Sequence, residues 1–210
     1  MKRAGNFMLP DVDTYFAPFL EQGGFQLDHL HDALHYVKNF DFAVDGGAHV
    51  GSWAIEMSKV FRKVLAFEPA EDTFKCLQHN TQGYTTIELV QQALGNTGQS
   101  FGRVVDDISR FGNTGSRFMQ VDDAGPIKIH TLDAFDLEGL DFLKLDVEGF
   151  EYYALLGAEK TIRKYRPTIL VEEKGFGRRY DLQPMAASNL LISWGAICMA
   201  QMGKDFVFSF

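Results

Sequence analysis

An open α/β fold, a mostly parallel sheet with helices on both faces, is what the sequence predicts. Three observations carry that expectation. Short apolar runs alternate with segments of helical period along most of the chain, the order that gives right-handed crossovers. The runs are solidly apolar rather than alternating, as strands covered on both faces require. A glycine-rich turn, 46–51, lies between the first run and the helix that follows it, where open α/β sheets bind ligands. At 210 residues, 46% of them apolar, the chain suffices for one domain with a short extension.

The elements follow in order. Leu27, Leu30, Leu34 and Val37 recur at intervals of three and four, predicting a helix over 27–39 behind an irregular arm that carries Tyr15, Phe16 and Phe19. Residues 42–45 read as a buried strand, 52–61 as a helix, and 64–67 as a second strand stopped by Glu68-Pro69. A helix over 71–80 opens on acidic residues that suit its dipole, and 86–90 is a third strand. Residues 95–125 hold six glycines and no helical period, so a loop-rich insert with one or two minor strands is expected. Strands at 126–131 and 142–146 resume the alternation, followed by one long helix over 150–166, ended by Pro167. A strand at 168–171, a helix at 184–194 and a hairpin of 196–200 with 205–210 close the chain. Residues 1–39 are thus an arm and helix, and 40–210 the sheet domain, of one compact unit.

Composition narrows the function. Twenty basic against 28 acidic side chains leave a net charge of −8, which disfavours nucleic acid as a partner because phosphates are held by Lys and Arg. Two cysteines, Cys76 and Cys198, exclude a disulfide scaffold and a four-Cys zinc site. No run approaches the ~20 apolar residues that span a bilayer, and the N-terminus lacks the apolar core of a signal peptide. A cytoplasmic protein with reduced thiols is expected. His31-Asp-Ala-Leu-His35 imitates a zinc-protease helix, but its Asp is a methylene shorter than the Glu of that motif and no third ligand is evident. Surface histidines are the plainer reading.

The sharpest local signal is Asp45-Gly46-Gly47-Ala48-His49-Val50-Gly51. A dinucleotide loop needs its middle glycine for close approach of the pyrophosphate, and Ala48 stands there with a Cβ. A carboxylate at Asp45, ending the strand, repels a diphosphate and suits the cationic S-adenosylmethionine. Glu68 ends the second strand, 23 positions on, where a carboxylate accepts both ribose hydroxyls. Gln92 or the Ala93 backbone, after the third strand, could read the adenine edge. A nicotinamide-dependent oxidoreductase on a similar sheet and a non-enzymatic scaffold are the alternatives.

Together with Phe67-Glu-Pro69, Thr131-Leu-Asp133, Phe142-Leu-Lys-Leu-Asp-Val-Glu-Gly-Phe-Glu151, Leu156-Gly-Ala158 and Pro167-Thr-Ile-Leu-Val-Glu172, the loop resembles the FkbM-type S-adenosylmethionine-dependent methyltransferases over residues 40–175. The resemblance implies the class I methyltransferase (Rossmann-like) sheet, seven strands with the last antiparallel. It also implies O-methylation of a hydroxyl on a small molecule or glycan, often a sugar or another secondary metabolite. His49 replaces a usual Asn of that family and Gly46 a common apolar residue, which alters contacts to the cofactor's amino-acid end. The expected cofactor contacts are Asp45, Gly46, Gly47, Ala48, His49, Gly51, Glu68, Gln92 and Ala93.

Methyl transfer to an alcohol needs alignment and a base. Asp146, Glu148 and Glu151 leave the end of a central strand, and crowding raises the pKa of at least one carboxylate. Asp146 is the first candidate base, Glu148 the second, while Glu151 also fits as a helix cap and Glu172 as part of the rim. Lys144 is expected to pair with Asp146 or Asp133. Whether a divalent cation joins the carboxylates is left open. The stretch after Asp146 lacks the Pro-Pro-aromatic segment of enzymes that methylate DNA bases.

Overall fold

The computed structural model describes residues 1–96 and 100–210. Its centre is a seven-stranded sheet built from β3 (Phe42–Gly46), β4 (Lys63–Phe67), β5 (Ile87–Val90), β10 (Phe142–Leu145), β11 (Thr168–Glu172), β12 (Ile197–Met202) and β13 (Asp205–Ser209). The strand order is β12-β13-β11-β10-β3-β4-β5. From β3 the chain adds β4 and β5 on one side, then returns to add β10 and β11 on the other, all in parallel. The border between β3 and β10 is therefore the switch point of the sheet, where a crevice opens. The tail closes it as expected, with β13 antiparallel to β11 and to β12.

Successive side chains on each central strand alternate between the two faces of the sheet. Val44, Leu65, Leu143, Leu145 and Val171 meet Leu155, Ile162 and Leu191 of α5 (Glu151–Leu156), α6 (Glu159–Tyr165) and α7 (Ala186–Ser193). Ala43, Val64, Ala66 and Phe142 meet Leu30, Met57 and Leu77 of α2 (Leu27–Leu34), α3 (Ser52–Met57) and α4 (Glu71–Asn80). The continuous apolar character of these strands follows from that double cover.

Four expectations need correction. The helix expected over 150–166 is two helices, α5 and α6, broken at Gly157 and Ala158. A Cβ on Gly157 would lie 1.8 Å from the Gly95 carbonyl, so the glycine is where the helix presses on a neighbouring strand end. Asp133 accepts the Lys160 and Thr161 N–H groups and starts α6 anew. The insert is more ordered than its glycines suggest: β6 (Ala93–Leu94), β7 (Ser100–Val105), β8 (Phe118–Val121) and β9 (Ile127–His130) form a separate four-stranded sheet. The strand expected at 126–131 belongs to that sheet, pairing with β6 and β7. Residues 97–99 of the insert lie outside the described residues. Finally, the irregular arm begins with a hairpin, β1 (Lys2–Ala4) and β2 (Phe7–Leu9), turned at Gly5 with φ 58°, and continues into a short helix, α1 (Ala17–Glu21). No helix among the described residues is long and apolar enough to cross a membrane.

Candidate active site

A cavity of about 260 Å³ opens at the switch point. Its floor is the loop after β3. Gly47 has φ 80°, and a Cβ there would stand 1.9 Å from the Asp146 carbonyl, so only glycine lets this loop lie against the end of β10. Of the residues expected at the cofactor, Gly47, Ala48, His49, Glu68, Gln92 and Ala93 line the cavity. Asp45, Gly46 and Gly51 lie behind it. Gly46 is still in β3 and its carbonyl accepts the Asp146 N–H. Gly51, with φ 94°, precedes α3 and packs on Leu77.

Asp45 departs from its expected role. It is fully buried beneath the loop, and Lys144, its register partner on β10, places Nζ 3.0 Å from Oδ1. That contact is ionic rather than a well-directed hydrogen bond, since neither Asp45 oxygen has a hydrogen-bond partner. The lysine donates instead to the Gly47 carbonyl at 2.6 Å. Lys144 therefore pairs with Asp45 and not with Asp146 or Asp133. Asp45 is thus screened from the cavity, whose lining carboxyl groups are Glu68, Asp146, Glu148, Glu172 and Asp205.

Glu68 is buried at the end of β4 and accepts the His49 N–H at 3.0 Å and the Ala70 N–H at 2.9 Å. Each oxygen keeps a lone pair. Burial, against those two hydrogen bonds, pushes its carboxyl up to about 7. Beyond β5, Gln92 Oε1 is buried without a partner, an orphan acceptor in the cavity wall.

His49 sits at φ 52° with its ring 4.5 Å from that of Phe16. Its Nε2 lies 2.8 Å from Thr114 Oγ1, and that hydroxyl donates to Asp13. Asp13 is wholly buried and also accepts the N–H groups of Tyr15, Phe16 and Thr114. One carboxylate so ties the arm to the insert across 101 positions, a pairing that no local pattern announces. Burial holds the imidazole of His49 down at about 4, hence neutral.

The acidic rim is real, with an unforeseen centre. Asp146, Glu148 and Glu172 each offer an oxygen within 4.8 Å of the others, a spacing that suits a divalent cation. The ammonium of Lys174 sits among them, 2.5 Å from Glu172 Oε2, 3.0 Å from Glu148 Oε1 and 3.9 Å from Asp146 Oδ1. Burial opposes the charge on Asp146, but Lys174 and Lys144 outweigh it and hold the group at about 2. Burial, and then the Asp146 anion, push Glu172 up to about 11 and Glu148 to about 7. Glu148 has φ 54°, and its Oε2 has no hydrogen-bond partner. Glu151 turns away from the cavity. Its Oε1 accepts the Val147 and Gly149 N–H groups at 3.0 Å each, so it caps the loop that presents Glu148. The His31 and His35 pair is no ligand set: His31 is exposed and sits 3.2 Å from Glu56.

A family model described as the methyltransferase FkbM domain matches residues 45–194. No curated protein matches the sequence. Among solved structures, FkbM methyltransferase from Methylobacillus flagellatus is 17% identical with a TM-score of 0.56, over 93% of this chain and 52% of that one. This chain thus spans about half the length of that protein. SMU.1697c of Streptococcus mutans, solved in complex with SAH, is 12% identical with a TM-score of 0.54, over 89% and 98% of the two chains. Precorrin 8W decarboxylase of Methanobacterium thermoautotrophicum is 14% identical with a TM-score of 0.52, over 100% and 98%. These likenesses establish the fold.

Proposed function

The chain belongs to the methyltransferase FkbM family, and from that premise we propose that it moves a methyl group from S-adenosylmethionine to a hydroxyl of a small molecule or glycan. The observation that carries the reading is one cavity with two unlike walls. On the β4 and β5 side stand Glu68 and the orphan Oε1 of Gln92; across β3 stand Asp146 and Glu148. The first wall fits an adenosine: Glu68 has lone pairs left for ribose hydroxyls, and Gln92 Oε1 suits an adenine amino group. The Gly47 turn lets backbone approach the amino-acid end. When bound, S-adenosylmethionine supplies a methyl on a positively charged sulfur.

The chain's own part is to hold an acceptor hydroxyl in line and take its proton. Asp146, held at about 2, stays ionised and is a weak base suited to orienting the acceptor. Glu148, at about 7 with an Oε2 that no hydrogen bond engages and that Arg179 approaches only to 3.9 Å, is matched to neutral pH and is the better base. This reverses the ranking expected from the sequence. Lys174 fills the seat a divalent cation would take, so the reading involves no metal.

Calorimetry tests the cofactor: S-adenosylhomocysteine binds, NAD does not, and Glu68→Ala weakens the former tenfold or more. Binding of NAD instead would favour the oxidoreductase. For the base, Glu148→Gln lowers kcat by roughly 10²–10⁴-fold while S-adenosylhomocysteine still binds. The wild-type rate should fall as pH drops through about 7, where Glu148 takes up its proton. A variant with full activity and an unchanged pH profile removes Glu148 from the reaction.

A further inference from the structure

The cavity opens past a turn, residues 107–112, that the proposed chemistry leaves unused. The turn is held at both ends. Asp107 Oδ1 accepts the Ser109 N–H at 3.0 Å, and Arg179 reaches Asp107 Oδ2 at 2.5 Å while also donating to the Glu148 carbonyl at 3.0 Å. The Gly112 carbonyl accepts the N–H groups of Thr14 and Tyr15 at 2.7 and 3.1 Å. A Cβ on Gly112 would stand 2.3 Å from Thr14 Oγ1 at φ 83°, so the turn and the arm meet too closely for another residue.

On this anchored turn Ile108 and Phe111 are each 92% exposed. Tyr15 and Phe19 of the adjoining arm add exposed aromatic surface, their rings 5.6 Å apart. Large apolar side chains left exposed on two segments that are hydrogen-bonded to each other mark a candidate binding face. Arg110 lies between Ile108 and Phe111 and lines the cavity, its guanidinium 4.7 Å from the Phe176 ring. The neighbouring arginines are committed, Arg117 to Asp72 and Asp106, and Arg179 to Asp107. Arg110 makes no ion pair among the described residues. Its five donors are free for an oxyanion.

We propose that this turn selects the methyl acceptor, an amphiphile whose oxyanionic head docks on Arg110 and whose apolar part covers Ile108 and Phe111. This deepens the methyltransferase reading and rests on it. The placement of the cations supplies the orientation: Lys174 is already held by Glu172 and Glu148, Arg110 holds the anionic head at the mouth, and the hydroxyl of the same molecule is left to face Glu148.

Decanoate, decanol and decyltrimethylammonium, below micellar concentrations, probe the turn by calorimetry on the full chain saturated with S-adenosylhomocysteine. Decanoate should bind best. Arg110→Gln and Phe111→Ser should each weaken it about tenfold, and Phe111→Ser should leave S-adenosylhomocysteine affinity unchanged, since that side chain is almost wholly exposed. Added salt should weaken decanoate and leave decanol unchanged. Equal decanoate binding by wild type and Arg110→Gln, or a preference for the cationic probe, overturns the proposal. So does adsorption to phosphatidylglycerol vesicles with no binding of free decanoate, which would make the turn a membrane contact. Loss of S-adenosylhomocysteine binding by the unmodified protein would instead overturn the underlying reading and is measured separately.

Discussion

Glu151 and the pair of Asp45 with Lys144 show how differently buried charges behave once their partners are fixed. Glu151 is pushed up to about 8 from an ordinary 4.5, chiefly by burial. Between those values the native state keeps a proton that the unfolded chain has released, so stability falls as pH rises across that window. Glu151→Gln keeps an amide oxygen for the Val147 and Gly149 N–H groups and removes the titration. Urea unfolding should therefore find the variant equal to wild type near pH 4, and increasingly more stable up to pH 8, the gap growing by at most ~1.4 kcal/mol per pH unit. Parallel curves would remove Glu151 as the source. Asp45→Asn should cost about 3–5 kcal/mol by leaving Lys144 charged and uncompensated inside the sheet, with Asp45→Asn/Lys144→Met recovering much of it. Both residues were visible in the sequence as chemically interesting. Their partnership was not, because it depends on β3 and β10 lying side by side, 97 positions apart between Gly47 and Lys144.

At the scale of elements, periodicity located the seven strands of the central sheet and the helices α2, α3, α4 and α7, and it failed where a neighbour intervened. Nothing local separates α5 from α6, since the stretch 150–166 reads as one helix. The break follows from Gly157 meeting the Gly95 carbonyl and from Asp133 capping the second helix. Asp133→Ala should lose about 1 kcal/mol, the ordinary worth of a cap, in a denaturation midpoint. Gly157→Ala, placing a Cβ 1.8 Å from that carbonyl, should cost more than Asp133→Ala does. A neutral or stabilising Gly157→Ala would mean that the close approach relaxes freely. The insert taught the same lesson in reverse: six glycines suggested loops, yet Gly102 is where the backbone of β7 passes within a Cβ's reach of the Gln120 carbonyl and Met119. Glycine in a strand there serves close packing.

For the whole molecule, the arm and insert are joined by Asp13, which accepts four hydrogens from Tyr15, Phe16 and Thr114. Asp13→Ala orphans buried donors worth on the order of 1–3 kcal/mol each. It should expose the arm to limited proteolysis and weaken S-adenosylhomocysteine, because Phe16 and Thr114 both reach the cavity. An arm as resistant as that of wild type would show that its aromatic packing suffices. What the sequence alone determined was the layered sheet, its switch-point loop and the family, since apolar period, glycine placement and strand-end carboxylates are local properties. Which charges face the cavity followed only from packing in three dimensions: Asp45 pairs with Lys144 beneath the floor, Lys174 sits among the rim carboxylates, and burial raises the Glu148 carboxyl while two lysines lower that of Asp146. The physical reason is that desolvation and Coulomb energy depend on distances in space, and those distances join residues that the chain keeps far apart.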